Sequence, residues 1–161
     1  MKFENLFFSN RKPKDMFEQY ESDATKFVTD VSRELDNQGN HQASVRIMTS
    51  VLHVIRDILT VEGSLHLISQ LPLFIKGLYV SGWHLGAKEK IKDRDHLIER
   101  LLLQNTKTGP ADFGTDEKAL NNFMAVIRVL QKHVSPGEID DIKAQFPLEL
   151  KDLWSSGVTT G

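Results

Sequence analysis

The 161-residue chain has no cysteine, which excludes disulfides, zinc–thiolate sites, iron–sulfur clusters and thiol nucleophiles and fits a reducing cytoplasm. Charge of one sign is lacking as well. Twenty basic and 22 acidic residues are interspersed and leave a net charge of −2, so no basic face argues for nucleic acid or an anionic membrane. No run approaches the roughly 20 apolar residues of a membrane span. Near the N-terminus only Leu6, Phe7 and Phe8 are adjacent and apolar, short of the roughly 7–15-residue apolar core of a signal peptide. The glycine-rich phosphate loops, Gly-x-Ser-x-Gly and His-Glu-x-x-His are all missing. So are the paired Glu-x-x-His motifs of bundle metal sites. These absences predict no cofactor, no metal and no enzymatic activity.

What is present is a repeat. Val51 to Trp83 recurs in degenerate form as Val126 to Trp154, 75 positions on and without a gap. Val126 falls on Val51, Val129 on Val54, Gln145 on Gln70, Pro147 on Pro72, Lys151 on Lys76 and Leu153 on Leu78. Residues with the same packing and punctuating roles at the same spacing predict the same path twice.

Apolar residues recur at steps of three and four, and no sustained period-two run occurs. Asp15 and Glu18 read as a capping box for a helix with the stripe Phe17, Tyr20, Ala24, Phe27, Val28, Val31 and Leu35, ended by Gly39. Asn40 caps a central helix, about His41 to Leu59, whose narrow polar arc holds Arg46, Thr49, Ser50, His53, Arg56 and Asp57. Thr60 caps a short third helix, as Ser135 with Glu138 does in the second copy. Each stops before a proline, Pro72 or Pro147, which starts a fourth. A further helix covers about Asp93 to Asn105, a loop anchored by Phe113 covers Thr106 to Gly114, and Thr115 starts the helix bearing Phe123, Ile127 and Leu130. The expected fold is therefore all-α, a helical bundle of about eight helices in two pseudo-twofold-related groups of four. Residues 1–14 read as a tail and 15–157 as one domain, with repeat one over 15–83, a linker over 84–92 and repeat two over 93–157.

The stretches Val51-Leu52-His53-Val54-Ile55-Arg56-Asp57, Gln70-Leu71-Pro72, Tyr79-x-x-Gly82-Trp83, Gln145-Phe146-Pro147 and Leu153-Trp154 resemble the bacterial domain of unknown function 2267 family over about Phe27 to Trp154. The resemblance implies a bacterial helical domain without an assigned activity. Gly63 departs from it, standing where a good helix former is expected.

Candidate chemistry is sparse. His53 with Asp57, Glu62 with His66, and Asp93 with His96 read as surface pairs. Ser50, His53 and Asp57 share one helix face without an oxyanion hole. The candidate binding residues are Lys76, Tyr79 and Trp83, with Phe7 and Phe8 as apolar side chains that dock on the domain or on a second subunit. Trp83 is expected to fold back as a seal behind a left-handed Gly82, with Tyr79 partly exposed beside it as the contact residue. The first functional reading is a cytoplasmic protein-interaction or scaffold domain, with self-association as one form of that contact. The second is a binding protein for a small apolar ligand held in a cleft between the repeats. With the apolar stripes supplying stability, strong chelation is expected to leave the melting temperature unchanged. A fall of several degrees, restored by one particular metal, would overturn that expectation.

Overall fold

The computed structural model describes residues 11–37 and 39–155. Its elements are α1 (Pro13–Glu34), α2 (His41–Ile58), α3 (Val61–Ile68), α4 (Leu73–Val80), α5 (Arg94–Gln104), α6 (Gly109–Phe113), α7 (Asp116–His133), α8 (Pro136–Gln145) and a closing 3₁₀ helix (Leu148–Trp154). There is no strand among the described residues, so the fold is all-α.

Helix starts follow local chemistry. The side chains of Asn40, Thr60, Asp93, Thr115 and Ser135 each accept a hydrogen bond from the backbone N–H three residues on, which satisfies a donor the helix itself cannot. All five prolines lie at such starts: Pro13, Pro110 and Pro136 in the first turns, Pro72 and Pro147 at the cap positions, where a missing N–H costs nothing.

The starts also recur. α2, α3 and α4 begin at His41, Val61 and Leu73; α7, α8 and the 3₁₀ helix begin 75 residues later, at Asp116, Pro136 and Leu148. The helices that precede them differ, a single 22-residue α1 before α2 but the pair α5 and α6 before α7. At the centre α1 packs on both α2 and α7, α5 on α2, and α3 on α8. Met48, Leu52, Ile55, Phe123, Val126 and Leu130 are wholly buried in one core, each contributing roughly 1.5–3 kcal/mol by leaving water.

Four expectations need correction. α1 starts at Pro13, and its cap residue Lys12 makes no side-chain cap bond, so the pair Asp15 and Glu18 is not a capping box. The fixed φ of Pro13 sets the start instead. α1 ends at Glu34 and the left-handed residue is Asp36, at φ 54°, a conformation Asp tolerates better than most; Gly39 plays no such part. The stripe on α1 is covered from Phe27 onward, but Phe17 is 62% exposed. The stretch read as a loop holds α6, whose Asp112 receives two bonds from Arg46 of α2, both 3.3 Å.

The two copies meet through exchanged glutamines. Gln70 Oε1 accepts from the backbone N–H of Ser135 at 2.8 Å, and Gln145 Oε1 accepts from the backbone N–H of Thr60 at 2.9 Å. Each glutamine lies 75 positions from the other, as does each cap residue. Thr60 adds its hydroxyl to Gln145 at 3.0 Å, which draws that amide close over α3. A Cβ on Gly63 would collide with the Gln145 amide. The glycine therefore leaves room for the Gln145 amide in its inter-copy bond, at a helix-propensity penalty of about 0.5–1 kcal/mol. Gly63→Ala alone is expected to be neutral or destabilising in denaturant melts, because displacing Gln145 forfeits bonds worth roughly 0.5–1.5 kcal/mol each. In a Gln145→Ala background the same change is expected to stabilise by about 0.5–1 kcal/mol. Equal effects in both backgrounds would contradict the coupling.

Candidate functional site

The polar arc of α2 does not face water. The apolar residues of this helix cover so wide a sector that ten of its 18 residues are buried, and the remaining polar side chains meet α4, α6 and the linker. His53 Nε2 lies 2.7 Å from the carbonyl oxygen of Leu78, and because that oxygen can only accept, Nε2 carries the proton. Burial lowers the pKa of His53, the largest cause, while the Leu78 bond works the other way. Arg56 is 6% exposed, and its Nη1 donates to the carbonyls of Tyr79 at 2.7 Å and Ser81 at 2.9 Å. Desolvation lowers its pKa too. Asp57, read as one half of a surface pair with His53, is buried instead between Lys88 at 2.7 Å and Arg100 at 3.0 Å. Arg100 also donates to Glu89 O, and Ile91 is buried, so the stretch 84–92 is fastened to the body by charge and by one apolar anchor.

The aromatic corner is arranged the opposite way from the sequence expectation. Tyr79 is wholly buried, its hydroxyl 2.7 Å from Ser64 Oγ, and burial pushes its pKa up to about 12. Trp83 is the partly exposed member. The reason is helical phase: Tyr79 follows Ile75 by four residues on the inward face of α4, whereas Trp83 comes after the helix has ended. Gly82 takes the expected left-handed conformation, at φ 66°, and turns the chain so that Trp83 stands edge-on to Tyr79, 6.1 Å between ring centroids and 89° between planes. The Arg56 guanidinium lies 5.7 Å from the centre of the Trp83 ring, within the range of a cation–π contact.

Trp83 and Arg56 border an open groove of about 500 Å³. The end of α2, the start of α3 and the linker form most of it, and Gln145 and Pro147 of the second copy close it. Leu85 and Val61, 72% and 48% exposed, line it with Lys88 and Lys90. Of the candidate binding residues named from sequence, only Trp83 lines this groove. Tyr79 supports it from beneath, Lys76 is half-exposed on α4 away from it, and Phe7 and Phe8 lie outside the described residues. Arg56, Leu85 and the linker lysines were missed, since nothing about a polar arc shows which element will cover it. The remaining pairs are modest. Glu62 and His66 approach to 3.8 Å on the surface, and Asp93 caps α5 by accepting from His96 N at 2.9 Å.

The match with known families now has a structure under it. The family described as "Uncharacterized conserved protein (DUF2267)" matches residues 14–153, and the chain belongs to that family. No curated protein matches it. Among the described residues, no helix is long and apolar enough to cross a membrane.

His53 gives the site a pH signature. Its folded pKa lies below the ordinary value of 6.5, so on acidification the unfolded chain binds the proton first. The stability it contributes is complete above about 6.5 and is lost as pH falls through the depressed folded value. His53→Gln, which keeps a donor for Leu78 O, is expected to flatten the fall of melting temperature below pH 6.5. An unchanged slope would remove His53 from the account.

Proposed function

We propose that the domain works by binding another protein, as an adaptor or through self-association, at the groove bordered by Trp83, Leu85 and Val61. The observation that carries this reading is the groove itself, in which a partly exposed tryptophan and two exposed aliphatic side chains stand on a floor fixed by hydrogen bonds. Aromatic side chains held in place beside apolar ones are the usual anchors of protein contacts, and a fixed floor lowers the ordering cost of binding. The position of the groove, between elements of both copies, also suits the second reading of a small apolar ligand. Its openness and its lysines favour a peptide chain over such a ligand.

The proposal includes no catalytic role. It takes the setting to be bacterial and cytoplasmic, on the family resemblance and the lack of cysteine, and it takes the two groups of helices to be related by a pseudo-twofold axis, on the exchanged glutamines. The test is a pair of variants. Leu85→Asp is expected to change stability by no more than about 0.5 kcal/mol, as an exposed substitution. Trp83→Ala should cost less than the roughly 3–5 kcal/mol of a fully buried aromatic. Both should weaken self-association, measured by sedimentation equilibrium, or capture of a partner from the source cell, by about 2 kcal/mol or more. Variants that melt like the parent and still assemble or capture the same partner would refute the assignment of this groove.

A further inference from the structure

Arg56 is a buried cation without a carboxylate. Among the described residues none lies within ion-pair distance of it, its Nη1 is bonded to two neutral carbonyls, and its Nε has no partner. Asp57, its neighbour in sequence, has one oxygen on Lys88 and the other on Arg100. Asp57 acts on Arg56 only at longer range, opposing the lowering of its pKa by burial, and a buried ion without a contacting counter-charge costs several kcal/mol even after relaxation, which raises the question of what the charge is for.

The second copy answers half of it. Gln131 stands 75 residues after Arg56, and its Nε2 donates at 3.0 Å to the carbonyl of Trp154, itself 75 residues after Tyr79. A neutral amide thus performs the same task of holding the end of the fourth helix. The positive charge in copy one exceeds what that task needs, and it lies on the copy that borders the groove. Lys90, exposed at the same groove, has no ion-pair partner among the described residues. With Arg56, Lys88 and Lys90 around a single carboxylate, Asp57, the groove carries an excess of positive charge.

From this we propose that the occupant is an acidic peptide segment of a partner protein, with a carboxylate facing Arg56 and Lys90 and a neighbouring apolar side chain resting on Trp83 and Leu85. The inference rests on the binding reading above and adds the chemistry of the partner. Charge complementarity gives orientation and rate of encounter, and the apolar contacts give residence.

The test pans a random heptapeptide display library on the full chain at low salt and then measures the selected peptides by NMR at the Trp83 indole, for which the wholly buried Trp154 is an internal reference. Peptides enriched in Asp or Glu beside Leu or Phe are expected. Their affinity should fall with salt and drop roughly tenfold when the acids become amides, the size of one charged contact. Arg56→Gln reproduces the arrangement of copy two, so it should fold and lose the preference for acid while the apolar contact still perturbs Trp83. Lys90→Glu, at an exposed position, makes the same point should Arg56→Gln not fold. Selected peptides that are neutral or basic, or affinities unmoved by Lys90→Glu and by salt, would overturn the acidic partner and leave the groove standing. A library from which nothing perturbs Trp83 would overturn the groove as well. Octanoate binding more tightly than any selected peptide would replace the peptide with a small anion.

Discussion

The constraint on which the rest depends is that α2 is enclosed on nearly every side, so its polar groups have to be solvated by protein. A polar group buried without a partner costs on the order of 1–3 kcal/mol, and the surrounding elements are placed where they remove that cost for most of these groups, Thr49 Oγ1 and Arg56 Nε excepted. Arg46 fixes α6 through Asp112, His53 and Arg56 fix the end of α4 through Leu78 O, Tyr79 O and Ser81 O, and Asp57 fixes both the linker and α5 through Lys88 and Arg100. Four side chains along one helix thus set the positions of four other segments. Apolar burial makes the bundle stable, but it is non-directional. The polar contacts give it one arrangement.

The same division of labour appears between the copies. The glutamine exchange, Gln70 to Ser135 and Gln145 to Thr60, joins α3 to α8 by satisfying one backbone donor at each cap residue. It joins residues 65 and 85 positions apart. α1 joins the second copy more electrostatically: Glu34 bonds Arg128 at 2.8 Å and Lys132 at 2.9 Å, and Asp30 meets His133 at 2.7 Å. The Arg128 bond is the main cause of the lowered pKa of Glu34. Its contribution is therefore present above the ordinary carboxylate value and lost only in stronger acid.

Local punctuation was legible in the sequence and partner choice was not. Asn40, Thr60, Thr115 and Ser135 announce their helices because a cap acts within three residues, and Pro72 and Pro147 do so because proline restricts its own neighbours. Gly82 was legible as a left-handed residue for the same local reason. The reversal of Tyr79 and Trp83 follows from local spacing, since Tyr79 lies four residues after Ile75 and so shares its inward face of α4. Asp57, Arg56 and Asp112 were not readable. Their partners are 23 to 66 residues distant, and no periodicity on α2 says which helix will cover its polar side. Gly63 is a third kind of case. It breaks a local rule, and the reason is a side chain 82 positions later, Gln145.

The ends of α4 and of the 3₁₀ helix are held in different ways. In copy two Trp154 is wholly buried, its ring edge-on to Phe146 at 5.2 Å, with Ile139 where copy one has Ser64. Its indole Nε1 has no partner among the described residues, consistent with a position held by packing. In copy one the pair is Tyr79 with Ser64, joined by a hydrogen bond, and Arg56 replaces Gln131. The first change exchanges apolar contact for a directional bond at a helix end leading into the groove, and the second keeps the bond to that helix end and adds a charge. Directional bonds fix orientation where apolar contact fixes only proximity. The end of α4 is accordingly held by His53, Arg56 and Ser64 together, and Trp83, four residues beyond Tyr79, inherits its position from them. A side chain fixed in that way meets a partner with little left to order, which is the condition under which a single exposed aromatic can dominate a contact.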